Sequence, residues 1–350
     1  MTEVFIVGAA RTAIGTLMGA LKSVPAHKLG SVVIKAALER AGVKADQIDE
    51  VMMGNVLMAG QGQGPGRQAA LGAGIPESVP AWAVNQLCGS GMKTIALAVD
   101  AIRAGDAQCI VAGGMESMSN APHLADLRNG TVLGNVTFKD STVYDGLTDV
   151  FSGEHMGMTA EWLADELKIT REEMDQFSAE SQKRVAAAWE AGRFNDEIVP
   201  VEIPQRKGDP IIFKKDEHFR AGTTAESLGK LKPAFKKDGS VTAGNASGIN
   251  DGAAAVVVAS AEFVKKHNLK PLARIAAHAT TGLNPSRMGL GPVSATQKAL
   301  SRAGWKISDL DRVEANEAFA VQSIGVIRQL GLDPAKTNVN GGAIEHRHPI

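Results

Sequence analysis

Apolar residues along this chain fall into two kinds of pattern. Short continuous runs at residues 3–8, 50–56, 79–86, 108–113 and 252–259 have the length and composition of buried strands. Between them, residues 27–41 and 90–103 carry apolar positions at helical spacing. In the second of these, Met92, Ile95, Ala96, Val99 and Ile102 define one face and Gly105 supplies a stop signal. A longer helix is predicted over Glu172 to Ala191, ended by Gly192, and a short one over 261–267. Strands alternating with helices predict an α/β fold in which helices cover a mixed sheet. The Leu, Met and Ala stripes on the helices read as core faces.

One stretch of the pattern occurs twice. Residues 37–51 read ALERAGVKADQIDEV and residues 299–313 read ALSRAGWKISDLDRV, with eight of fifteen positions identical at an offset of 262. Each copy spells a helix end, a glycine stop, a short turn and an entering strand. Val84-Asn85 is echoed more faintly by Val339-Asn340. Two long segments with one element order predict two similar half-folds rather than a solenoid of short repeats. The second copy starts at Pro271 and is expected to lack a helix and two strands, a deficit of roughly 40 residues. Such a half leaves strand edges and apolar faces for another chain to cover. Residues 119–249 lie between the copies as an insertion rich in polar and irregular stretches, suited to carrying binding groups.

Composition changes this picture little. With 350 residues, 44% of them hydrophobic, the chain can bury a sizeable core divided into more than one unit. A net charge of −1 gives no global attraction to nucleic acid or membrane. Two cysteines make no disulfide framework and point to a reducing compartment. The N-terminus begins a strand at once, without a signal peptide, and no apolar stretch has the length of a bilayer span. The expectation is a soluble cytoplasmic protein. Within the insertion, residues 206–237 hold nine Lys and Arg against four acids, a local charge of +5. That suits a solvated basic surface and a phosphate site equally.

The leading candidate for chemistry is Cys88, in Asn-Gln-Leu-Cys-Gly-Ser-Gly-Met-Lys (85–93), where an apolar run meets a helix. A thiol at the first turn of a helix faces unpaired backbone N–H groups and the positive end of the dipole, which favour the nucleophilic thiolate. Gly89 and Gly91 leave room where a substrate or another backbone comes close. A lone cysteine can equally be a small core residue; the strand–Cys–Gly-x-Gly–helix arrangement favours the nucleophile. Cys109, inside the run Gln-Cys-Ile-Val-Ala-Gly, reads as structural. Gly60-Gln-Gly-Gln-Gly-Pro-Gly66 imitates a phosphate loop, but no Gly-Lys-Ser/Thr follows, so a turn or interface loop is the better reading. His346-x-His348 has no Cys or carboxylate partners at metal-ligand spacing.

Seven motifs, in order, make the chain resemble the thiolases, most closely their acetyl-CoA acetyltransferase (acetoacetyl-CoA thiolase) branch: VFIVGAARTAIG (4–15), NQLCGSGMKTIALA (85–98), AGGMESMS (112–119), GEHMGMTAE (153–161), TAGNASGINDGAAA (242–255), EANEAFA (314–320) and NVNGGAI (338–344). The resemblance covers essentially the whole chain. It implies a layered αβαβα thiolase-like fold of two duplicated halves, with an N-terminal domain at 1–268, holding the coenzyme A-binding insertion 119–249, and an incomplete C-terminal domain at 270–350. It implies that two acetyl-CoA condense to acetoacetyl-CoA and coenzyme A, or the reverse, without cofactor or metal, in a homodimer or homotetramer.

By the same resemblance Cys88 takes the acetyl group, splitting a difficult acyl transfer into two steps. His348 draws the thiol proton and later helps to hold the thioester oxygen of the second acetyl-CoA. Asn316 holds a water that completes that oxyanion site. Donors are needed there because the carbanion beside a thioester is an enolate with its charge on oxygen, and losing one such donor costs ~2.7–4 kcal/mol of barrier. Leu147, His155 and Met156 border the pantetheine and thioester; Arg220, Ser227, Ala243 and Ser247 line the coenzyme A channel; Phe235 and Met288 shape its acyl end. Family members continue after His-Pro to a Cys-x-Gly-Gly-Gly segment carrying a second catalytic cysteine, and usually have Ala-Leu-Gly where this chain has Glu345-His346-Arg347. These departures lead to the expectation of weak full turnover. They keep open a catalytically impaired remnant that binds coenzyme A or pairs with an intact subunit. A condensing enzyme using a carrier protein is a third reading, which the insertion argues against.

Overall fold

In the computed structural model, which describes residues 2–346, the five apolar runs lie side by side in one mixed sheet. The strands are β1 (Val4–Thr12), β2 (Gly15–Thr16), β3 (Glu50–Gly54), β4 (Ala81–Val84), β5 (Cys109–Ser117), β6 (His123–Leu124), β7 (Lys139–Asp140), β8 (Ile198–Val199), β9 (Val201–Ile203), β10 (Ile211–Phe213), β11 (Asn250–Ser260) and β12 (Ala273–Arg274). The helices are α1 (Ala26–Ala41), α2 (Pro65–Gly72), α3 (Ser90–Ala104), α4 (Met156–Leu167), α5 (Arg171–Glu190), α6 (Ala225–Gly229), α7 (Ala261–Lys266), α8 (Gly291–Ala303), α9 (Ala320–Leu330) and α10 (Ala343–His346). The main sheet runs β12-β1-β11-β5-β3-β4, with β2 beside β11 and β8 beside β1. β5 is antiparallel to β11, from Asp251↔Ser117 to Ala259↔Cys109, and β3 is parallel to both β5 and β4.

Period-two alternation sends each strand's residues to two cores. On β5, Cys109, Val111 and Met115 join the core under α1 and α2, while Ile110 and Ala112 join the one under α3. Val51 and Met53 of β3 face the first and Met52 the second. Because both faces are covered, all nine residues of β5 are buried, and its sequence reads as a continuous apolar run.

Two expectations are corrected here. The run 79–84 does not form a buried strand: β4 is half-exposed throughout, because it pairs only with β3 and forms the sheet edge. Met92 does not belong to the core face of α3; at 79% exposure it points away from the sheet.

The repeat recurs as local structure. Both α1 and α8 end on a left-handed glycine, Gly42 and Gly304. Both are followed by a 3₁₀ turn whose third side chain accepts from the backbone N–H before it, Gln47 from Lys44 and Asp309 from Lys306, each at 2.8 Å. Beyond that the copies diverge. Where the first continues into β3, the second makes a single parallel bridge, Val313↔Thr337, so among the described residues it forms no sheet of its own. β3 is a strand because β4 and β5 flank it, whereas Val313 has one bridging neighbour.

The insertion shares its apolar residues between two clusters. Ala188, Phe194, Ile198, Val201, Ile203 and Phe213 join the core under α1; Ala160, Leu163, Met174, Val241 and Ala246 pack with Leu290, Ala320, Val321 and Ile344. Asp216, its side chain fully buried, ties the insertion to β1. It accepts from Arg11 Nη1 and Nη2 at 2.9 and 3.1 Å and from Ile14 N at 2.7 Å. Among the described residues no helix is long and apolar enough to cross a membrane.

Candidate functional site

Cys88 lies past the C-terminal end of β4, on the turn that leads into α3, and it is exposed. It stands one residue ahead of the helix cap, Gly89, rather than inside the first turn. Leu87, just before it, has φ of +49°, a conformation that costs a residue with a Cβ roughly 1–3 kcal/mol. Surrounding bonds over-determine it. Asn85 Oδ1 accepts from Leu87 N at 2.9 Å, Ser90 Oγ accepts from Gln86 N at 2.8 Å, and the same hydroxyl donates to Leu87 O at 2.6 Å. The start of α3 sits directly on the end of β3. A Cβ on Gly54 would lie 2.6 Å from Ser90 C and 2.7 Å from Gly91 N. The backbone approach that needs a glycine is therefore at Gly54, since a Cβ on Gly91 would find its nearest neighbour at 4.0 Å.

Beneath this turn lies a residue that sequence reasoning missed. Glu116, fully buried near the end of β5, accepts from Asn55 Nδ2 and Val56 N at 2.8 Å and from Leu57 N at 3.3 Å. Burial pushes its carboxyl up to about 7, overcoming the opposing effect of those donors. An acid inside an otherwise apolar strand run was the available signal. The 55–57 loop that it holds also receives a long hydrogen bond from Asn85 Nδ2 to Val56 O, at 3.5 Å. Cys109 is a different kind of thiol: it is buried, and desolvation pushes it up to about 12, leaving it inert.

The same loop leads towards a second group of predicted residues. A Cβ on Gly146 would sit 3.5 Å from Leu57 Cδ2, so the segment bearing Leu147 packs beside it. Leu147 O accepts from Met156 N at 2.8 Å, and Thr148 bridges to His155. His155 caps α4, its Nδ1 accepting from Gly157 N at 3.0 Å, which leaves the proton of the neutral ring on Nε2. Burial lowers its pKa, favouring that neutral form. Its ring stacks on Phe235 at 4.8 Å, and Phe235 meets the edge of Phe319 at 6.3 Å. Phe235 also lies flush on Gly157, where any side chain would collide with the ring. Ser247 N donates to Ala318 O at 2.8 Å, and the buried Ser247 Oγ has no hydrogen-bond partner among the described residues. Met288 is half-buried on the turn Pro285–Leu290, which packs with α4 and α9.

Leu147, His155, Met156, Phe235 and Ser247 thus join the loop that carries Asn316 in one patch. Asn316 itself is exposed, between Ala315 and the buried Glu317. Arg220, Ser227 and Ala243 are exposed and belong to a second group. Arg220 N donates to Gln182 Oε1 at 2.9 Å, beside an open cleft of about 590 Å³ along α5 lined by Gln176, Gln182, Lys183, Gly222 and Thr223. Ser227 Oγ is engaged with Thr224 at the start of α6, and Leu228 and Leu231 pack on Gly244, next to Ala243. In the basic segment Lys230 pairs with Glu226, Lys236 pairs with Asp165, and Lys215 lies over the rings of Trp189 and Phe219. His348 lies outside the described residues.

An exposed thiol on a braced strand–helix turn can accept an acyl group. Comparison with known proteins agrees. Residues 4–262 match the thiolase N-terminal domain family and residues 269–350 the thiolase C-terminal domain family. Among curated proteins the chain is similar to the acetyl-CoA acetyltransferases of Pseudomonas aeruginosa (56% identical), Cupriavidus necator (57%) and Shinella zoogloeoides (53%). In each case the whole of this chain aligns with 89% of the relative.

Proposed function

The chain belongs to the thiolase family, and from that premise we propose that it is an acetyl-CoA C-acetyltransferase acting on acetyl-CoA, acetoacetyl-CoA and coenzyme A. The thioesters are substrates, and no separate cofactor or metal enters the reading. Cys88 Sγ attacks the acetyl carbonyl, the C–S bond to coenzyme A breaks, and coenzyme A leaves as the thiol while the enzyme holds an acetyl thioester. His348 takes the Cys88 proton as attack begins and returns it to the departing coenzyme A sulfur. A second acetyl-CoA gives its α-proton to a general base, the part that the second catalytic cysteine plays in the thiolases, and attacks the Cys88 thioester as its enolate; a new C–C bond forms, the C–S bond to Cys88 breaks, and the Cys88 thiolate recovers a proton from that base. Asn316, through a water, and His348 hold the enolate oxygen while it carries charge.

The observation that carries this reading is Cys88, exposed at the end of parallel strands on a turn that five named backbone and side-chain groups hold in place. Phe235 and His155 offer flat apolar surface to the pantetheine arm and Ser247 Oγ an unspent hydroxyl to its amides. The remnant reading is not favoured, since the relatives match across the whole chain. The exposed edge of β4 and the exposed Met92 support a homodimer or homotetramer, and two cysteines without a disulfide framework support a cytoplasmic location.

Intact-protein mass spectrometry after incubation with acetyl-CoA tests the first half-reaction. One acetyl adduct is expected on the wild-type chain and none on Cys88→Ala. An unmodified, folded wild-type chain sinks the proposal.

A further inference from the structure

The loop carrying Asn316 and the turn that continues towards His348 meet at one buried carboxylate. Glu317 is 1% exposed. Its Oε1 accepts from Asn338 Nδ2 at 2.7 Å; its Oε2 accepts from Ser181 Oγ at 2.9 Å and from Ile344 N at 3.3 Å. These donors come from three separate places: α5, the segment after the Val313↔Thr337 bridge, and α10.

Asn338, also buried, does a second thing. Its Oδ1 accepts from Ala315 N and its Nδ2 donates to Ala315 O, both at 2.8 Å. The residues on either side of Asn316 are therefore held by the same amide, one through its backbone and the other through its carboxylate. Asn338 reaches this position with φ of +47°, which asparagine tolerates better than most residues. Ser181 Oγ adds a contact to the turn by accepting from Gly342 N at 3.0 Å. The turn has no slack: a Cβ on Gly341 would run into Val185, and one on Gly342 into the Glu317 carboxylate itself.

Burying a carboxylate is unfavourable unless it is fully hydrogen-bonded, and an apolar residue would fill the same space more cheaply. What the carboxylate adds is registry, because its lone pairs fix three donors from distant segments at once. We propose that Glu317 is a positioning residue. With Asn338 it locks the Asn316 loop and the Gly341–Ile344 turn into one unit, so that Asn316 and the chain leading to His348 are presented to Cys88 together. The proposal rests on the roles assigned above to Asn316 and His348.

Two measurements on Glu317→Gln test it. Gln keeps the volume but turns one acceptor into a donor that faces other donors. In the first, the rate of Cys88 acetylation at saturating acetyl-CoA is expected to fall about 10-fold, equivalent to about 1.4 kcal/mol, with the half-saturating concentration unchanged within about twofold. Adding Asn338→Asp restores the donor–acceptor match at position 317 but loses the bond to Ala315 O, and is expected to recover part of the rate. In the second, hydrogen exchange at 313–320 and 337–346 is expected to rise in both segments together while α1 is unaffected. Wild-type acetylation rates in Glu317→Gln overturn the proposal, as does exchange that rises in one segment only. If the wild-type chain takes no acetyl group at all, the functional reading fails, and coupled or uncoupled exchange still decides whether the bracket exists.

Discussion

A single methyl group at Gly54 tests how tightly the nucleophile's turn is mounted on the sheet. In Gly54→Ala the new Cβ falls 2.6 Å from Ser90 C, 2.7 Å from Gly91 N and 2.8 Å from Ser90 Cβ. Ordinary contact begins at 3.4 Å, so the gap must open by about 0.8 Å. None of these atoms is the end of a flexible side chain, so the movement has to come from β3 or from α3 as a whole. Overpacking of this kind costs about 1–3 kcal/mol, and a rigid helix on a rigid sheet belongs in the upper half of that range. Displacing the Cys88 turn by a comparable distance is expected to slow acetylation about 100-fold. Gly91→Ala is the control: the same methyl, placed on the helix side of this contact, has its nearest neighbour at 4.0 Å. It sits in a helix, where Ala is favoured over Gly by roughly 0.5–1 kcal/mol, so its stability should match or exceed the wild type. Urea midpoints and the Cys88 acetylation rate are measured for all three chains. If Gly54→Ala is as stable as Gly91→Ala and acetylates at the wild-type rate, α3 is not held by this contact.

Two further outcomes follow from buried charge. Asp216→Ala removes one of the two carboxylate partners of Arg11, leaving Glu197 at 2.6 Å, and the acceptor for Ile14 N, and is expected to cost about 1–3 kcal/mol in urea unfolding; a loss below ~0.5 kcal/mol would mean the pair behaves as a surface bridge. Glu116, pushed up to about 7 from 4.5, binds its proton more tightly in the folded chain than in the unfolded one. Its contribution to stability is therefore greatest below about pH 4.5 and is lost as pH rises through about 7, a change of order 3 kcal/mol. Unfolding of wild type and Glu116→Gln compared from pH 4.5 to 8 should show the difference shifting in favour of Gln with rising pH; a constant difference refutes the assignment.

Strands 4–12, 109–117 and 250–260 and helices α1, α3 and α5 were legible because their apolar residues keep one period for long enough to leave no alternative. α2 was not, because it begins at Pro65 inside a glycine-rich run that reads as a turn. α4 and α9 were visible only as parts of family motifs. Cys88 stood out through its setting between strand and helix, but the left-handed Leu87 that aims it has no signature in the residue type. The patch around Phe235 draws on residues from 147 to 319, so no local pattern could have assembled it; motif resemblance supplied the names and folding supplied the contacts. Glu116, Glu317 and Asn338 were missed for one reason. A polar residue beside an apolar run can point either way, and only the partners that meet it in space decide which.

The repeat makes α1 and α8 a matched pair with one difference. They share a glycine cap and the turn after it, yet α1 buries ten residues and α8 none. Opening α1 exposes core and therefore approaches global unfolding, whereas opening α8 exposes only partly buried residues such as Val293, which packs against Val326, Leu330 and Leu332. An isolated helix of α8's length is marginal in water. The two copies thus separate what a capped helical sequence specifies locally from what the surrounding sheet contributes. The repeated stretch, alike at eight of fifteen positions, ends a helix that is part of one cooperative unit at its first occurrence and, at its second, a helix that can open while the rest of the molecule stays intact.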